Sequence, residues 1–232
     1  KTIALKMCDM NILPTLIDLN IIGKDKEVVI TYSLCIGVIF KYMSLSKIDC
    51  QSFGFVNKIT ESIDYSWSSI ELNIVNISIA EVLSFYHDQI HDQLCSASIK
   101  LEVVRYLDFI KNLKYEFDLP VVLKILRMYI PSSLIDPKQL SVDLFEIVNK
   151  SKDQEFLKTL SIFEDCLREL MKDRDLGDFI KTEIPKFILK LTKIEFLSLD
   201  NFNRFLNFLK FVISDLKYFD LMQQVVEQVL EE

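Results

Sequence analysis

The sequence predicts an all-α fold with about ten to twelve helices. Glycine occurs only four times in 232 residues, whereas an average usage of about 7% would give roughly 16. Turns that need a positive φ are therefore rare, which argues against a meandering β protein. Half of the residues are hydrophobic, and in two long stretches they recur with the 3.6-residue period of a helix. No stretch of comparable length alternates with the two-residue period of a strand.

Those two stretches lie in the second half of the chain. Residues 156–170 and 202–216 carry apolar side chains three or four positions apart, so each should form a helix that buries one face. Earlier in the chain, residues 28–40 form a run of thirteen without charge. A membrane span needs about 20, so this run predicts a buried core helix. The apolar positions are Phe156, Leu160, Phe163, Leu167 and Leu170 in one stretch, and Phe202, Phe205, Leu206, Leu209, Val212, Ile213 and Leu216 in the other.

Three further segments share a pattern typical of a helix start. Each has an aliphatic residue, a proline, one variable residue and an apolar pair. Proline at the first helical position loses no useful hydrogen bond and has a preset φ, so we expect a helix to begin at each one. After Trp67, Ser68 or Ser69 followed by Glu71 predicts another start, with a capping box. The three proline segments are LPTLIDLN at 13–20, LPVVLKIL at 119–126 and IPKFILKL at 184–191.

The first of these segments resembles part of a known repeat. Residues 11–39, NILPTLIDLNIIGKDKEVVITYSLCIGVI, look like the second helix, turn and third helix of an armadillo repeat. The resemblance to armadillo and HEAT proteins covers about the first 45 residues and recurs faintly beyond them. It implies an irregular right-handed α-solenoid, because the prolines of the three segments lie 106 and 65 residues apart and fit no single period. A non-repetitive helical domain is the alternative.

The domain organisation follows from the same resemblance. It implies one helical-repeat domain over residues 1–232, and the chain begins with Lys1, so we expect a fragment of a longer protein. The segment 130–141, IPSSLIDPKQLS, contains two prolines and three serines. This composition predicts a weak internal break near 131–137.

The resemblance also bears on the mode of binding. Armadillo proteins that bind extended peptides often carry an asparagine ladder on the third helix, whose amides clamp the peptide backbone. The corresponding position here is Val38. Val38 therefore argues against extended-peptide binding of that kind and leaves open the docking of a helix or a folded partner.

The only two histidines lie in the segment FYHDQIHDQLC at 85–95. On an unbroken helix His87, His91 and Cys95 would share one face, as metal ligands can. The general base of an HExxH motif is replaced by Asp88, however, and the polar residues that follow are typical of a helix end. We expect an ordinary helix surface and no cofactor, with a metal-binding or enzymatic helical domain as the alternative.

A second candidate site is basic. Three lysines at i, i+4 and i+7 lie opposite the apolar positions of one predicted helix, and the next helix carries a similar polar line. If the two helices stack, the two lines predict a groove for an acidic peptide or helix of a protein partner. An ordinary solvated face is one alternative, and a nucleic-acid surface is a second that the lack of interleaved exposed aromatics disfavours. The residues are Lys186, Lys190 and Lys193, then Asn203, Arg204, Asn207 and Lys210.

Composition narrows the class of function. The net charge of −7 disfavours a broad nucleic-acid surface. The five cysteines are scattered and lack CxxC spacing, which predicts reduced thiols inside the cell, in the cytoplasm or nucleus. No phosphate-binding loop, GxSxG motif or calcium loop is present. The sequence thus predicts a non-catalytic scaffold or adaptor for a protein partner, with homodimerisation or packing on other domains of its own chain as further options.

Overall fold

The computed structural model describes residues 12–42, 54–88, 90, 93–113, 117–132, 134–173, 176–194, 198–216 and 223. Within these ranges the chain forms ten α-helices and one 3-10 turn, and no strand. The predicted all-α class is therefore confirmed for the part of the chain that the structure describes. The helices are α1 Leu13–Asp18, α2 Lys26–Tyr42, α3 Phe55–Glu61, α4 Ser69–His87, α5 Gln93–Asn112, α6 Leu119–Tyr129, α7 Pro137–Lys150, α8 Asp153–Leu170, α9 Gly177–Thr192 and α10 Leu199–Ser214, with the 3-10 turn at Ile130–Ser132.

The chain divides into two compact units. The N-terminal unit covers Lys1–Ile135 and the C-terminal unit covers Asp136–Glu232. Their boundary lies inside the predicted internal break, where Asp136 accepts a hydrogen bond from the Lys138 amide and caps the start of α7. That these units form one helical-repeat domain stays a prediction.

In the N-terminal unit, α2, α4 and α6 form one layer of helices that run in the same direction. Residues along α2 contact residues along α4 in the same order, from the Lys26–Glu71 ion pair near the helix starts to the Lys41–Glu81 ion pair further along. The next pair of helices in this layer, α4 and α6, is joined by the hydroxyl of Tyr129, which donates to the Leu83 carbonyl at 2.7 Å. This hydrogen bond joins residues 46 positions apart.

A second layer contains α1, α3 and α5. Lys58 of α3 donates from Nζ to the carbonyls of Ile17 and Leu19 at the end of α1. The amide of Val56, also in α3, donates to the carboxylate of Glu102 in α5 at 2.7 Å. These bonds span 39 to 46 positions of sequence. Each helix of this unit therefore has its main hydrogen-bonded neighbour two helices away along the chain.

The C-terminal unit repeats this arrangement. The ring of Phe145 in α7 packs edge-on against Phe187 in α9, with centroids 5.8 Å apart. In the other layer, Arg204 of α10 donates to the carbonyl of Lys158 in α8 at 2.9 Å, 46 positions away. Phe163 of α8 stacks on Phe187 at 5.2 Å. An aromatic core therefore joins the two layers of this unit.

Two of the three proline segments begin helices as predicted, and one does not. Proline occupies the first turn of α1 and of α6, which confirms those starts, and Ser68 with Glu71 forms the predicted capping box at α4. Pro185 instead lies inside α9, which begins eight residues earlier at Gly177. The extra turns before the proline carry Phe179, whose ring packs on Phe145 at 5.9 Å. That packing offsets the backbone hydrogen bond that the proline removes.

Two predictions about buried faces are also corrected. The apolar stripe of α8 is buried as predicted. The α10 stripe is buried only in part: Phe205, Val212 and Leu216 are buried as predicted, but Phe208, outside the stripe, faces α8 and packs on Phe163 at 6.0 Å. Phe202 and Leu206 are exposed as a result. The run 28–40 forms most of α2, yet only one side of that helix is buried. Its outer side exposes Val28, Leu34 and Val38.

Candidate functional site: an apolar groove on the N-terminal unit

The outer side of α2 forms a groove with α4. The two helices touch at the groove floor, where Gly37 lies so close to Ser78 that a Cβ on the glycine would be 2.9 Å from the serine Cα. Leu34 and Val38 rise on one side and Ile77 on the other, and each of the three is 44–45% exposed. The depression measures about 120 Å³ and is lined by Leu34, Gly37, Val38, Lys41, Ile77, Ser78 and Glu81.

An ion pair between the two helices lies near each end of the groove. Lys26 contacts Glu71 at 2.7 Å near the helix starts, and Lys41 contacts Glu81 at 2.8 Å further along. The hydrogen bond from Lys26, with those from the Ser68 backbone and hydroxyl, lowers the pKa of Glu71 to about 2. Hydrogen bonds to the glutamates raise the pKa of both lysines. Lys26, Lys41 and Glu71 are therefore charged near neutral pH, and each lysine lies against a carboxylate of α4.

Two more exposed apolar residues lie on the helices that form the groove. Val28 lies in the first turn of α2 and is 46% exposed, and Ile70 lies in the first turn of α4 and is 72% exposed. Single exposed aliphatic residues are ordinary on a protein surface, but a contiguous group rimmed by polar residues is typical of a binding site. Leu34, Val38 and Ile77, which line one depression together with Lys41 and Glu81, have that character.

Val38, which the armadillo resemblance aligns with the asparagine ladder, lies in this groove. Where peptide-binding armadillo proteins present an amide, this chain presents an aliphatic side chain. The groove therefore offers no side-chain amide at this position for clamping a peptide backbone.

The structure separates the residues of the candidate metal site. Helix α4 ends at His87, with Asp88 as its C-cap, and α5 begins at Gln93. The predicted helix end is confirmed, so His87 and Cys95 lie on different helices. The His87 ring packs edge-on against Tyr129 at 5.5 Å.

Cys95 and His91 are the other two residues of the candidate metal site. Cys95 is buried and disulfide-bonded, so the expectation of reduced thiols is wrong at this residue. Cys35 and Cys166 are not disulfide-bonded. His91 lies outside the described residues, and among those described no group of three or more His, Cys, Asp or Glu side chains has a geometry that could hold a metal ion. The metal alternative therefore has no support from His87 and Cys95.

The lysine line on α9 is largely engaged in contacts within the chain. Lys186 is exposed and pairs with Glu183 one turn earlier, at 2.7 Å. Lys190 donates to the carbonyl of Asn149 at the end of α7, at 3.3 Å. Lys193 is the C-cap of α9 and is exposed. The charges of Lys186 and Glu183 offset each other, which weakens the local positive field available to an acidic partner.

The polar line on α10 is directed toward α8. Arg204 pairs with Asp200 at 2.9 Å and donates to the carbonyl of Lys158 in α8. Asn203, Asn207 and Lys210 are exposed. Because Lys190 reaches α7 and Arg204 reaches α8, the two lines contact different helices. A shared groove between them stays a prediction.

The groove residues were missed by sequence reasoning, although a signal existed. Residues 28–40 are apolar on every side of the helix, and such a helix is normally buried all round. The alternative is a helix that buries one face in its own core and offers the other to a partner. Leu34 and Val38 belong to that second face.

No helix in the described part of the chain is both long enough and apolar enough to cross a bilayer. Comparison with family models, with curated proteins and with solved structures finds no match for this chain.

Proposed function

We propose that this chain is a non-catalytic scaffold or adaptor whose α2/α4 groove binds an amphipathic helix of a protein partner. The observation that carries the proposal is the groove itself, in which Leu34, Val38 and Ile77 are exposed on a surface whose nearby charges are already paired. Burying apolar area of this kind contributes about 25 cal/mol per Å².

The pairing of the charges beside the groove favours a partner that presents an apolar surface. The groove carries no unpaired lysine or arginine because Lys26 and Lys41 each pair with a glutamate of α4. An acidic peptide would have to break one of these pairs to gain its own. The side chains that line the walls are aliphatic, so the complementary surface is aliphatic as well.

Dimensions argue for a helix. About ten residues of α4 separate Glu71 from Glu81, which is about 15 Å, or nearly three helical turns. A helix laid along two parallel helices presents anchors at i, i+3 or i+4, and i+7 over that length. A cavity of about 150 Å³ holds a benzene molecule, so a depression of about 120 Å³ has room for one aliphatic anchor.

The packing pattern supports the helical-repeat reading that an adaptor of this kind would use. In both units a helix bonds to the second helix along the chain, through contacts that join residues 39 to 47 positions apart. Armadillo and HEAT repeats have about 40–47 residues, and stacked repeats of this kind present extended surfaces to partners. A right-handed solenoid is our proposal on this basis. A reducing compartment stays a prediction, and the disulfide at Cys95 weighs against it.

Charge substitutions in the groove test this function. The variant Val38→Glu with Ile77→Glu places two carboxylates on the walls, and both positions are exposed, so the fold should tolerate the change. The matched control is Leu101→Glu with Leu199→Glu, since both leucines are also exposed but lie on α5 and α10. Affinity capture from native extract would quantify bound protein for each variant after circular dichroism confirms folding.

We expect the groove variant to lose a stoichiometric partner that the wild type and the control retain. A further variant, Lys186→Glu with Lys190→Glu and Lys193→Glu, examines the basic site in the same assay. Loss of the partner only in this lysine variant would reject the groove and favour the basic surface. Retention in all three variants would reject both surfaces.

A further inference from the structure

The N-terminal unit contains a buried carboxylate that the groove does not use. Glu102 of α5 is only 2% exposed. Its Oε2 accepts hydrogen bonds from the amides of Val56 at 2.7 Å and Asn57 at 3.4 Å, at the start of α3. Both bonds end on the same oxygen, so Oε1 can carry a proton without the loss of either bond.

Helix α3 depends on this carboxylate because it has no cap of its own. Its N-cap is Gly54, which has φ of 118° and offers no side-chain hydrogen bond. Glu102 therefore supplies from α5 what a capping serine or aspartate would supply locally. At its other side α3 holds α1, through the bonds from Lys58 to the α1 carbonyls. The carboxylate thus lies in a contact chain from α5 through α3 to α1.

Within the described part of the chain, no lysine, arginine or histidine pairs with the Glu102 carboxylate. On α3, the Lys58 ammonium is committed to α1 and Glu61 is exposed. From the other layer, the buried phenols of Tyr86 and Tyr129 interact with Glu102. Burial raises the pKa of both phenols, and the charge of Glu102 raises them as well. On α5 itself, Lys100 and Arg105 are exposed. An ionised carboxylate at this site has only two neutral amides to replace its lost hydration, which is costly.

We propose that the α3–α5 contact is a proton-dependent latch, closed when Glu102 is protonated and loosened when Glu102 ionises. Ionisation in the closed state buries an uncompensated charge, whereas opening of α3 lets water reach the carboxylate. The latch therefore opens as pH rises, and the movement reaches α1 through Lys58.

The pKa of Glu102 supports this direction. Burial raises it from 4.5 to about 7, against the opposing effect of the Val56 and Asn57 amides. A group whose pKa is higher in the closed state favours that state at low pH, and the advantage is lost as pH rises through the closed-state value. For values of about 7 closed and about 4.5 open, the open fraction rises about ten-fold between pH 6 and pH 8.

Amide hydrogen exchange on the full chain tests the latch. After correction for intrinsic exchange rates, we expect the opening constant at Val56 to rise about ten-fold from pH 6 to pH 8. Leu160, buried in α8 of the other unit, is the internal control and should show no such change. Equal protection of Val56 at both pH values would overturn the proposal.

The variant Glu102→Gln assigns the effect to this carboxyl. Glutamine keeps an acceptor for the two amides but does not titrate, so Val56 should lose its pH dependence. A pH dependence equal to that of the wild type would show that another group, such as His87, is responsible. If the variant does not fold, a carbon-13 titration of the Glu102 carboxyl in the wild type decides. A midpoint near 7 supports the latch, and a midpoint near the ordinary 4.5 contradicts it.

Discussion

The close approach of α2 and α4 at Gly37 gives a sharp test of the packing beneath the groove. In Gly37→Ala the new Cβ would lie 2.9 Å from the Ser78 Cα and 3.3 Å from the Ser78 carbonyl oxygen. Because these are backbone atoms, the two helices must move apart. Overpacking of this kind costs about 1–3 kcal/mol, against a gain of about 1 kcal/mol in helix propensity. We expect a net loss of about 1 kcal/mol.

The matched control is Gly177→Ala at the start of α9, where an added Cβ would meet no atom within 4 Å. That variant should be neutral or slightly stabilised, and because α9 belongs to the C-terminal unit its urea midpoint is followed by circular dichroism. Trp67, the single tryptophan, lies in the N-terminal unit, so its fluorescence in urea follows unfolding of that unit. A loss of 1 kcal/mol lowers the urea midpoint by about 0.3–1 M. A midpoint for Gly37→Ala at or above that of the wild type would refute the close packing.

Three further substitutions examine other parts of the account. Glu71→Gln removes the charge that pairs with Lys26 and leaves an uncharged acceptor in the capping box; because the pKa of Glu71 is lowered to about 2, the stability that this charge contributes is present above about pH 4.5 and lost as pH falls toward 2. The Trp67 midpoint of this variant should therefore fall below the wild type at pH 7 and converge with it near pH 2, and equal midpoints at pH 7 would contradict a stabilising role of the charge. Tyr106→Phe removes the 2.7 Å bond to the buried Asn76 amide and should cost about 1–3 kcal/mol in the same assay, whereas Tyr106→Phe with Asn76→Leu should recover most of it. Phe187→Ala empties the aromatic core of the C-terminal unit and should cost about 3–5 kcal/mol by circular dichroism in urea; a loss below 1 kcal/mol would contradict that core.

Periodicity predicted the helices well because it reports the local backbone. The buried stripe predicted for residues 156–170 is confirmed at each of its residues, because the neighbours of α8 cover the whole stripe. In α10 the helix was right and the buried face only in part, since Phe208 and Phe211, which lie outside the predicted stripe, are buried together with Phe205 and packing on α8 selects that face. One sequence cannot show which of two apolar faces has a neighbour.

The functional features depend on contacts between distant residues. The groove needs Gly37 to meet Ser78, 41 positions later, and the Glu102 contact joins residues 46 positions apart. Nothing local in the sequence marks Glu102 as buried, because the apolar residues around it could equally leave a glutamate at the helix surface. The basic residues of α9 were easier to find from sequence, yet Lys186 is paired within the chain.

The central claim is that the α2/α4 groove receives a helix of a protein partner. The most direct measurement places a photo-crosslinking amino acid at Ile77, with the same substitution at the exposed Leu101 as the control. After irradiation in native extract, mass spectrometry identifies the crosslinked peptides. The account predicts, from position 77 only, one partner segment with aliphatic residues at i, i+3 or i+4, and i+7. Identical adducts from both positions, or a crosslinked segment without that spacing, would contradict it.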